Sequence, residues 1–342
     1  MSPVRALQWT SLLLALALPL AATAQTTPAY LYFRAGSQDD VAALSKPGFA
    51  LMGGGSDLDE AFRFLCDRSG GGDFLILRAT GDDEYNPYIQ RLCHQNSVST
   101  LIIPNRQAAM DPFVEKSIRH ASAIFISGGD QSNYINFWMG TPVQAALNDA
   151  ISRGVPLGGT SAGLAVMGEY AYTAQGDKPQ DKDLDSWTVL TNPFHPRVTL
   201  VRGFLQIPLL KGIITDTHFA KRNRMGRLLV YLARINEPDG KTLPPPGEGI
   251  RGIGVEERAA ILLEPDGKAT VIGSGSAYFI DPRLASGLLE KGKPLTFGPY
   301  AVQKVESRHI FYLNSWSGFT TQYSLSVDAG KIHSTARGGA VY

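Results

Sequence analysis

Cysteine is scarce in this 342-residue chain: Cys66 and Cys93 are the only two, too few for a disulfide-stapled framework or a Cys-based metal cluster. An excess of one charge is missing too. The 32 Lys and Arg offset 31 Asp and Glu, so the net charge of +1 supplies neither the basic field of a nucleic-acid binder nor an acidic solvating tail. The N-terminal apolar run, Ser11 to Leu20, is too short to span a bilayer comfortably. Internal repeats, heptads and low-complexity tracts are also absent, which excludes solenoids and coiled coils. What remains is an ordinary globular composition, 44% apolar, with length for one large domain or two and a sizeable buried core.

The short apolar run has its own reading. Arg5 precedes it, and Ala22-Thr23-Ala24 follows with small residues at the positions a signal peptidase requires, so residues 1–24 read as a secretory signal peptide cleaved after Ala24. An uncleaved anchor is the rival reading, and no Cys follows the site to support a lipoprotein. Cleavage removes Arg5, leaves a formally neutral mature chain with no membrane insertion, and sends it to the periplasm or the medium. In an oxidising compartment a Cys66–Cys93 disulfide and two buried thiols are both open.

From Gly48 to about Ala162 short apolar runs alternate with amphipathic ones. Strands are expected at Phe49–Met52, Phe74–Ala79, Val98–Ile103, Ala123–Ile126 and Val155–Leu157. Helices are expected between them, at Asp57–Asp67, Pro87–His94, Asp111–His120, Ser132–Trp138 and Pro142–Arg153. This alternation predicts an α/β fold with a mostly parallel central sheet flanked by helices. Active sites on such sheets lie at the carboxyl ends of the strands, here Gly53-Gly54-Gly55, Ala79 to Asp82, Ser127 to Gln131 and Gly158 to Ser161. A polar stretch, Gln175–Ser186, reads as an exposed loop. Beyond it come a strand at Gly212–Thr215, a basic helix at Arg222–Ile235 and a Pro-rich turn at Pro238–Gly247. Strands follow from Ile250 to Ile280. The division expected is a catalytic domain over 25–283 and a β-rich C-terminal extension over 284–342.

The sharpest chemical signal is Gly159-Thr160-Ser161-Ala162-Gly163, a G-x-S-x-G between an apolar strand and an expected helix at Leu164–Tyr170. Small neighbours permit the tight turn that projects a nucleophile, although Gly-Ser clusters also occur in structural turns. Of the six histidines, His218 alone follows an apolar strand at its carboxyl end, on the same edge as Ser161. Glu256, Glu257 and Asp216 are the candidate orienting carboxylates. The order Ser, His, acid departs from the Ser, acid, His order of α/β-hydrolases and argues against a lipase.

Four segments taken together resemble the cyanophycinase branch of the serine peptidases related to dipeptidase E, peptidase family S51. They are Phe125-Ile126-Ser127-Gly128-Gly129-Asp130-Gln131, Gly158 to Gly163, Asp216-Thr217-His218-Phe219 with Arg222, Arg224 and Arg227, and Gly252 to Glu257. The resemblance covers about residues 47–282 and implies a fold like that of class I glutamine amidotransferases, of flavodoxin-like type. It makes Ser161 the nucleophile, His218 the base and Glu257 the carboxylate that orients it, with the backbone amides of Gly129 and Ala162 holding the oxyanion. No metal or organic cofactor is implied, and a homodimer is.

The implied substrate is cyanophycin, a polyaspartate whose side-chain carboxyls carry arginine, cleaved to β-aspartyl-arginine dipeptides. Arg222, Arg224 and Arg227 would fork substrate carboxylates, while Asp130, Gln131, Asp216 and Thr217 would meet its arginine or amide groups. A solvated basic helix face and ordinary turn chemistry are the plain alternatives. Thr217 stands where cyanophycinases usually carry Gln, which keeps open an aspartyl or isoaspartyl dipeptidase of the same fold. A non-catalytic exported binding protein is the reading from another class.

Overall fold

The structure, a computed structural model, describes residues 29–178, 181, 183–236 and 249–342. The signal peptide with its cleavage site and the Pro-rich turn at Pro238–Gly247 lie outside the described residues. The first half contains β1 (Leu31–Gly36), β2 (Phe49–Met52), α1 (Asp59–Arg68), β3 (Asp73–Arg78), α2 (Tyr85–Leu92), β4 (Ser97–Ile102), α3 (Pro112–His120), β5 (Ala123–Ile126), α4 (Gln131–Trp138), α5 (Pro142–Ser152), β6 (Leu157–Thr160) and α6 (Ala162–Ala165). Then come β7 (Tyr170–Tyr172), α7 (Ser186–Thr191), β8 (Leu200–Arg202), β9 (Ile213–Asp216), α8 (Met225–Asn236), β10 (Arg251–Val255), β11 (Ala259–Leu263), β12 (Lys268–Gly273) and β13 (Ala277–Asp281). The C-terminal region adds β14 (Ser286–Leu288), β15 (Thr296–Val305), β16 (Ile310–Tyr312), β17 (Ser317–Gly318), β18 (Thr321–Asp328) and β19 (Lys331–Ser334).

Among the described residues these strands form two sheets. The first runs β1-β4-β3-β5-β6-β2-β11-β12-β16-β17, with a parallel centre from β4 to β2 and antiparallel flanks. Its central strands β2, β4, β5 and β6 are buried throughout, as expected when both faces of a parallel sheet are covered. The second runs β19-β18-β15-β13-β10-β9-β7-β8, with β14 paired to β15. Side chains of both sheets, Leu77, Ile126, Ile253 and Val255 among them, share the largest core. Residues Phe62, Phe74 and Phe125 pack α1 and α2 onto the opposite face of the first sheet.

Two features place the site. β6 lies between β5 and β2, so the carboxyl ends of these three strands sit side by side. β10 pairs in parallel with β9 in the second sheet, and the chain then crosses at Glu256–Arg258 to β11, which pairs with β2 in the first.

Several expectations shift. The helix expected at Leu164–Tyr170 is a four-residue turn, α6, because the chain closes on itself at Gly168 and enters β7 at Tyr170; a Cβ on Gly168 would come within 2.7 Å of the Ile213 carbonyl oxygen. The strand before Ser161 starts later than expected and includes Gly158 and Gly159. The basic helix starts at Met225, leaving Arg222 and Arg224 in the loop before it. Residues beyond 284 are β-rich as expected, and their strands extend both sheets: β15, β18 and β19 the second, β16 and β17 the first. Cys66 on α1 and Cys93 at the end of α2 are bridged, with Cα atoms 6.2 Å apart, tying the two helices together.

Candidate active site

Ser161 sits at the crest between β6 and α6 with φ 52° and ψ −116°. A non-glycine residue in that conformation is costly, and such strain persists where the surroundings fix it. Here the Ser161 N–H donates to the Met52 carbonyl at 3.1 Å and the Ser161 carbonyl accepts from Ala165 at 2.9 Å. The turn also needs Gly163, since a Cβ there would come within 2.8 Å of the Ile126 carbonyl carbon. The outcome is a hydroxyl thrown clear of the sheet edge.

His218 reaches that hydroxyl from the second sheet. It follows β9 by two residues, is also left-handed at φ 48°, and donates its backbone N–H to the Gly53 carbonyl at 2.8 Å. Gly54 supplies the floor beneath its ring: a Cβ at that position would lie 2.6 Å from Nε2, and its φ of +97° disfavours any side chain. The Ser161 Oγ lies 2.7 Å from His218 Nε2, and His218 Nδ1 lies 2.7 Å from Glu257 Oε1. A carboxylate offers only lone pairs, so Nδ1 carries the proton and donates to Glu257, which leaves the Nε2 lone pair facing the Ser161 hydroxyl.

Burial pulls the His218 pKa below its ordinary 6.5; the bond to Glu257 opposes this, and the nearby Arg222 and Arg224 charges add to it. The imidazole is therefore neutral at pH 7, the state a general base requires. Glu257 is held below its usual carboxylate value, chiefly by the hydrogen bond from His218. Glu256, the neighbouring acid, is engaged elsewhere: its Oε1 accepts from the Tyr278 hydroxyl at 2.6 Å and its Oε2 from the Ser276 N–H at 2.9 Å.

Gly128 lies against the Ser161 side chain, at 3.5 Å from a Cβ built on Gly128 to the Ser161 Cβ. Gly129, at φ +144°, follows it in a conformation that L side chains rarely adopt. Among the described residues neither the Gly129 nor the Ala162 amide donates to a protein acceptor. Asp130 is committed locally, its carboxylate capping α4 by accepting from Ser132 N–H. Gln131 opens that helix and is half-buried.

The expected substrate-binding group divides in two, and part of the expectation is corrected. Arg227 and Asp216 have side chains only 3% exposed and pair with each other, Arg227 Nε donating to Oδ2 at 2.7 Å and Nη2 to Oδ1 at 2.5 Å. Each satisfies the other's charge inside the protein, so neither is presented to a substrate. Arg224 is buried beside them, donating to the Thr217 carbonyl at 2.9 Å, the Thr217 hydroxyl at 3.2 Å and Asp183 at 3.0 Å. Burial, reinforced by the Arg227 charge, brings its pKa down to about 10. Thr217 is thus turned inward onto Arg224, and its N–H donates to Asp216 Oδ1. Arg222 is the exposed member, bonded to Asp183 at 2.8 Å. The basic face expected from charge spacing is mostly an internal network under the His218 loop.

Sequence reasoning missed a polar pair beside the Ser161 turn. Tyr85 donates to Asp57 Oδ2 at 2.5 Å, and burial raises the Asp57 pKa. Only the acidic opening of the expected helix at Asp57 marked that position. Among the described residues no three His, Cys, Asp or Glu side chains gather as a metal site.

Peptidase family S51 matches residues 74–229. The chain is 31% identical over 186 residues to the cyanophycinase of a Nostoc species, covering 54% of this chain and 53% of that one. It is 28% identical over 243 residues to the cyanophycinase of Synechococcus elongatus, covering 68% and 67%. The match thus spans about half the length of the Nostoc relative. Among solved structures, a peptidase from an acI-B1 actinobacterium superposes with a TM-score of 0.51 at 16% identity, over 79% of this chain and 98% of that one, which is a likeness of fold.

Proposed function

We propose that this chain, matched by peptidase family S51 over residues 74–229 and similar to cyanophycinases, is an exported serine-type hydrolase that cleaves cyanophycin to β-aspartyl-arginine dipeptides. The observation that carries the reading is the linked 2.7 Å contacts from Ser161 to His218 and from His218 to Glu257. In the proposed reaction His218 Nε2 takes the Ser161 proton as Oγ bonds to the scissile backbone carbonyl carbon, and the carbonyl oxygen becomes an oxyanion facing the Gly129 and Ala162 amides. Collapse breaks the C–N bond, His218 returns the proton to the leaving amine, and an acyl-enzyme remains on Ser161. Water, deprotonated by the same histidine, then attacks the ester and releases the acid and the free serine. Each oxyanion donor contributes about 3 kcal/mol to such a transition state.

The substrate choice is supported by the names of the relatives, and export by the sequence pattern of residues 1–24. A smaller aspartyl dipeptide is the second reading, favoured by the inward-turned Thr217, which offers a substrate no side-chain amide. The test is incubation of residues 25–342 with purified cyanophycin, Ser161→Ala alongside, and mass spectrometry of the soluble products. Release of β-aspartyl-arginine by the wild-type protein alone supports the proposal. Turnover of aspartyl dipeptides without release from the polymer favours the second reading.

A further inference from the structure

The C-terminal region lies outside the stretch matched by the family, yet one of its side chains packs directly behind the site. The Tyr342 hydroxyl accepts from the Met225 N–H at 2.8 Å and donates to Asn223 Oδ1 at 3.1 Å. Met225 opens α8, so this N–H is one that a helix cannot satisfy internally. Asn223, at φ 48°, belongs to the same tight loop as His218, where the Arg222 N–H donates to the His218 carbonyl. The ring meets Phe219 and Tyr278 edge-on, each with centroids 5.9 Å away, and those two rings touch each other at 5.4 Å. Phe219 directly follows His218 and is fully buried. Tyr278 holds Glu256, directly before Glu257, through its hydroxyl. One aromatic cluster therefore backs both members of the His218–Glu257 pair.

Tyr342 is itself fixed. The Tyr323 hydroxyl donates to the Val341 carbonyl at 2.8 Å, and the Ser334 hydroxyl to that of Ala340 at 2.6 Å. Burial pushes the Tyr342 phenol up to about 12, so its hydroxyl keeps the proton given to Asn223 at any ordinary pH. Without the buttress, the left-handed residues His218 and Asn223 would lose part of what holds them in strained conformations, and the imidazole could drift from Ser161.

We infer that Tyr342 is a positioning residue for the His218–Glu257 pair, and that the C-terminal β-region completes the active site as well as extending the sheets. The inference rests on the serine-hydrolase reading. Its test is the second-order rate at which a fluorophosphonate labels Ser161, measured from pH 5 to 9 with the thermal midpoint, for wild type, Tyr342→Phe and Tyr342→Ala. Tyr342→Ala is expected to label about tenfold more slowly at temperatures where it is fully folded, because small misplacements of a base are costly. Its acid midpoint is expected to rise toward 6.5 as water reaches the imidazole. Tyr342→Phe, which keeps the ring, is expected to recover most of the rate. A labelled wild type with Tyr342→Ala matching it in rate and pH midpoint, whatever the thermal midpoint, overturns the inference alone. An unlabelled wild type overturns the hydrolase reading and the inference with it. If Tyr342→Ala does not fold, Tyr342→Leu, which fills much of the space but lacks both ring and hydroxyl, carries the test, and a rate and pH midpoint equal to wild type overturn the inference.

Discussion

Ser161 and His218 meet across 2.7 Å but are held by different means. The serine is fixed locally: its strand, its turn and the glycines that permit the turn lie within a few residues, backed by β2 and β5 on either side. The histidine is fixed from a distance. Its loop rests on Gly53 and Gly54 from the first sheet, on Asp216, Arg224 and Arg227 beneath, and on Tyr342 from the C-terminal region. The serine depends chiefly on its own turn and on the two strands that flank it. A base set by convergence of several segments is exposed to damage at any of them.

Substitutions on the two sides sharpen this contrast. The largest effect is expected for Ser161→Ala, which should lower polymer hydrolysis by about 10^5- to 10^6-fold without shifting the unfolding curve, read by product release and calorimetry. Glu257→Gln should cost about 10^3- to 10^4-fold in kcat, because its amide can donate to Nδ1 and favour the tautomer that puts the proton on Nε2. Arg227→Ala should act on the base side through the fold, leaving the buried Asp216 without its two-bond partner and with only the Thr217 N–H and the more distant Arg224, at a cost of about 3 kcal/mol in denaturant unfolding. A paired Cys66→Ser and Cys93→Ser change, remote from both sides, should lower stability by about 3 kcal/mol for a loop of this size and leave kcat unaltered.

The smallest expected effect lies in the pH profile. Since only neutral His218 can accept the serine proton, and burial disfavours its charged form, kcat/KM should rise with pH through a midpoint below 6.5 and then level off. A midpoint above 6.5 would mean that Glu257 outweighs burial.

The same contrast explains what could be read from the sequence. The parallel centre of the first sheet was legible because short buried apolar runs lead into glycine-containing turns: β2 and β5 start and stop at the expected residues, as does the antiparallel β11 beside β2. Strands β1, β7 and β8 carry no comparable pattern and were not foreseen. The Ser161 turn announces itself through Gly159 and Gly163, while the length of α6 depends on how Gly168 packs against Ile213, which no local pattern encodes. Arg224 and Arg227 look in sequence like a solvated basic face, and only the folded chain, which sets Arg227 of α8 against Asp216 at the end of β9, reveals that the two neutralise each other internally. Tyr342 is 119 residues from Asn223 in the chain, and no spacing rule joins them.

The central claim is an activated Ser161, and peptide mapping after reaction with a fluorophosphonate tests it most directly. The expected result is one adduct per chain, on Ser161, formed at least about 100-fold more slowly in His218→Ala because the base is lost. No adduct on Ser161, or one forming at the wild-type rate without His218, would contradict it.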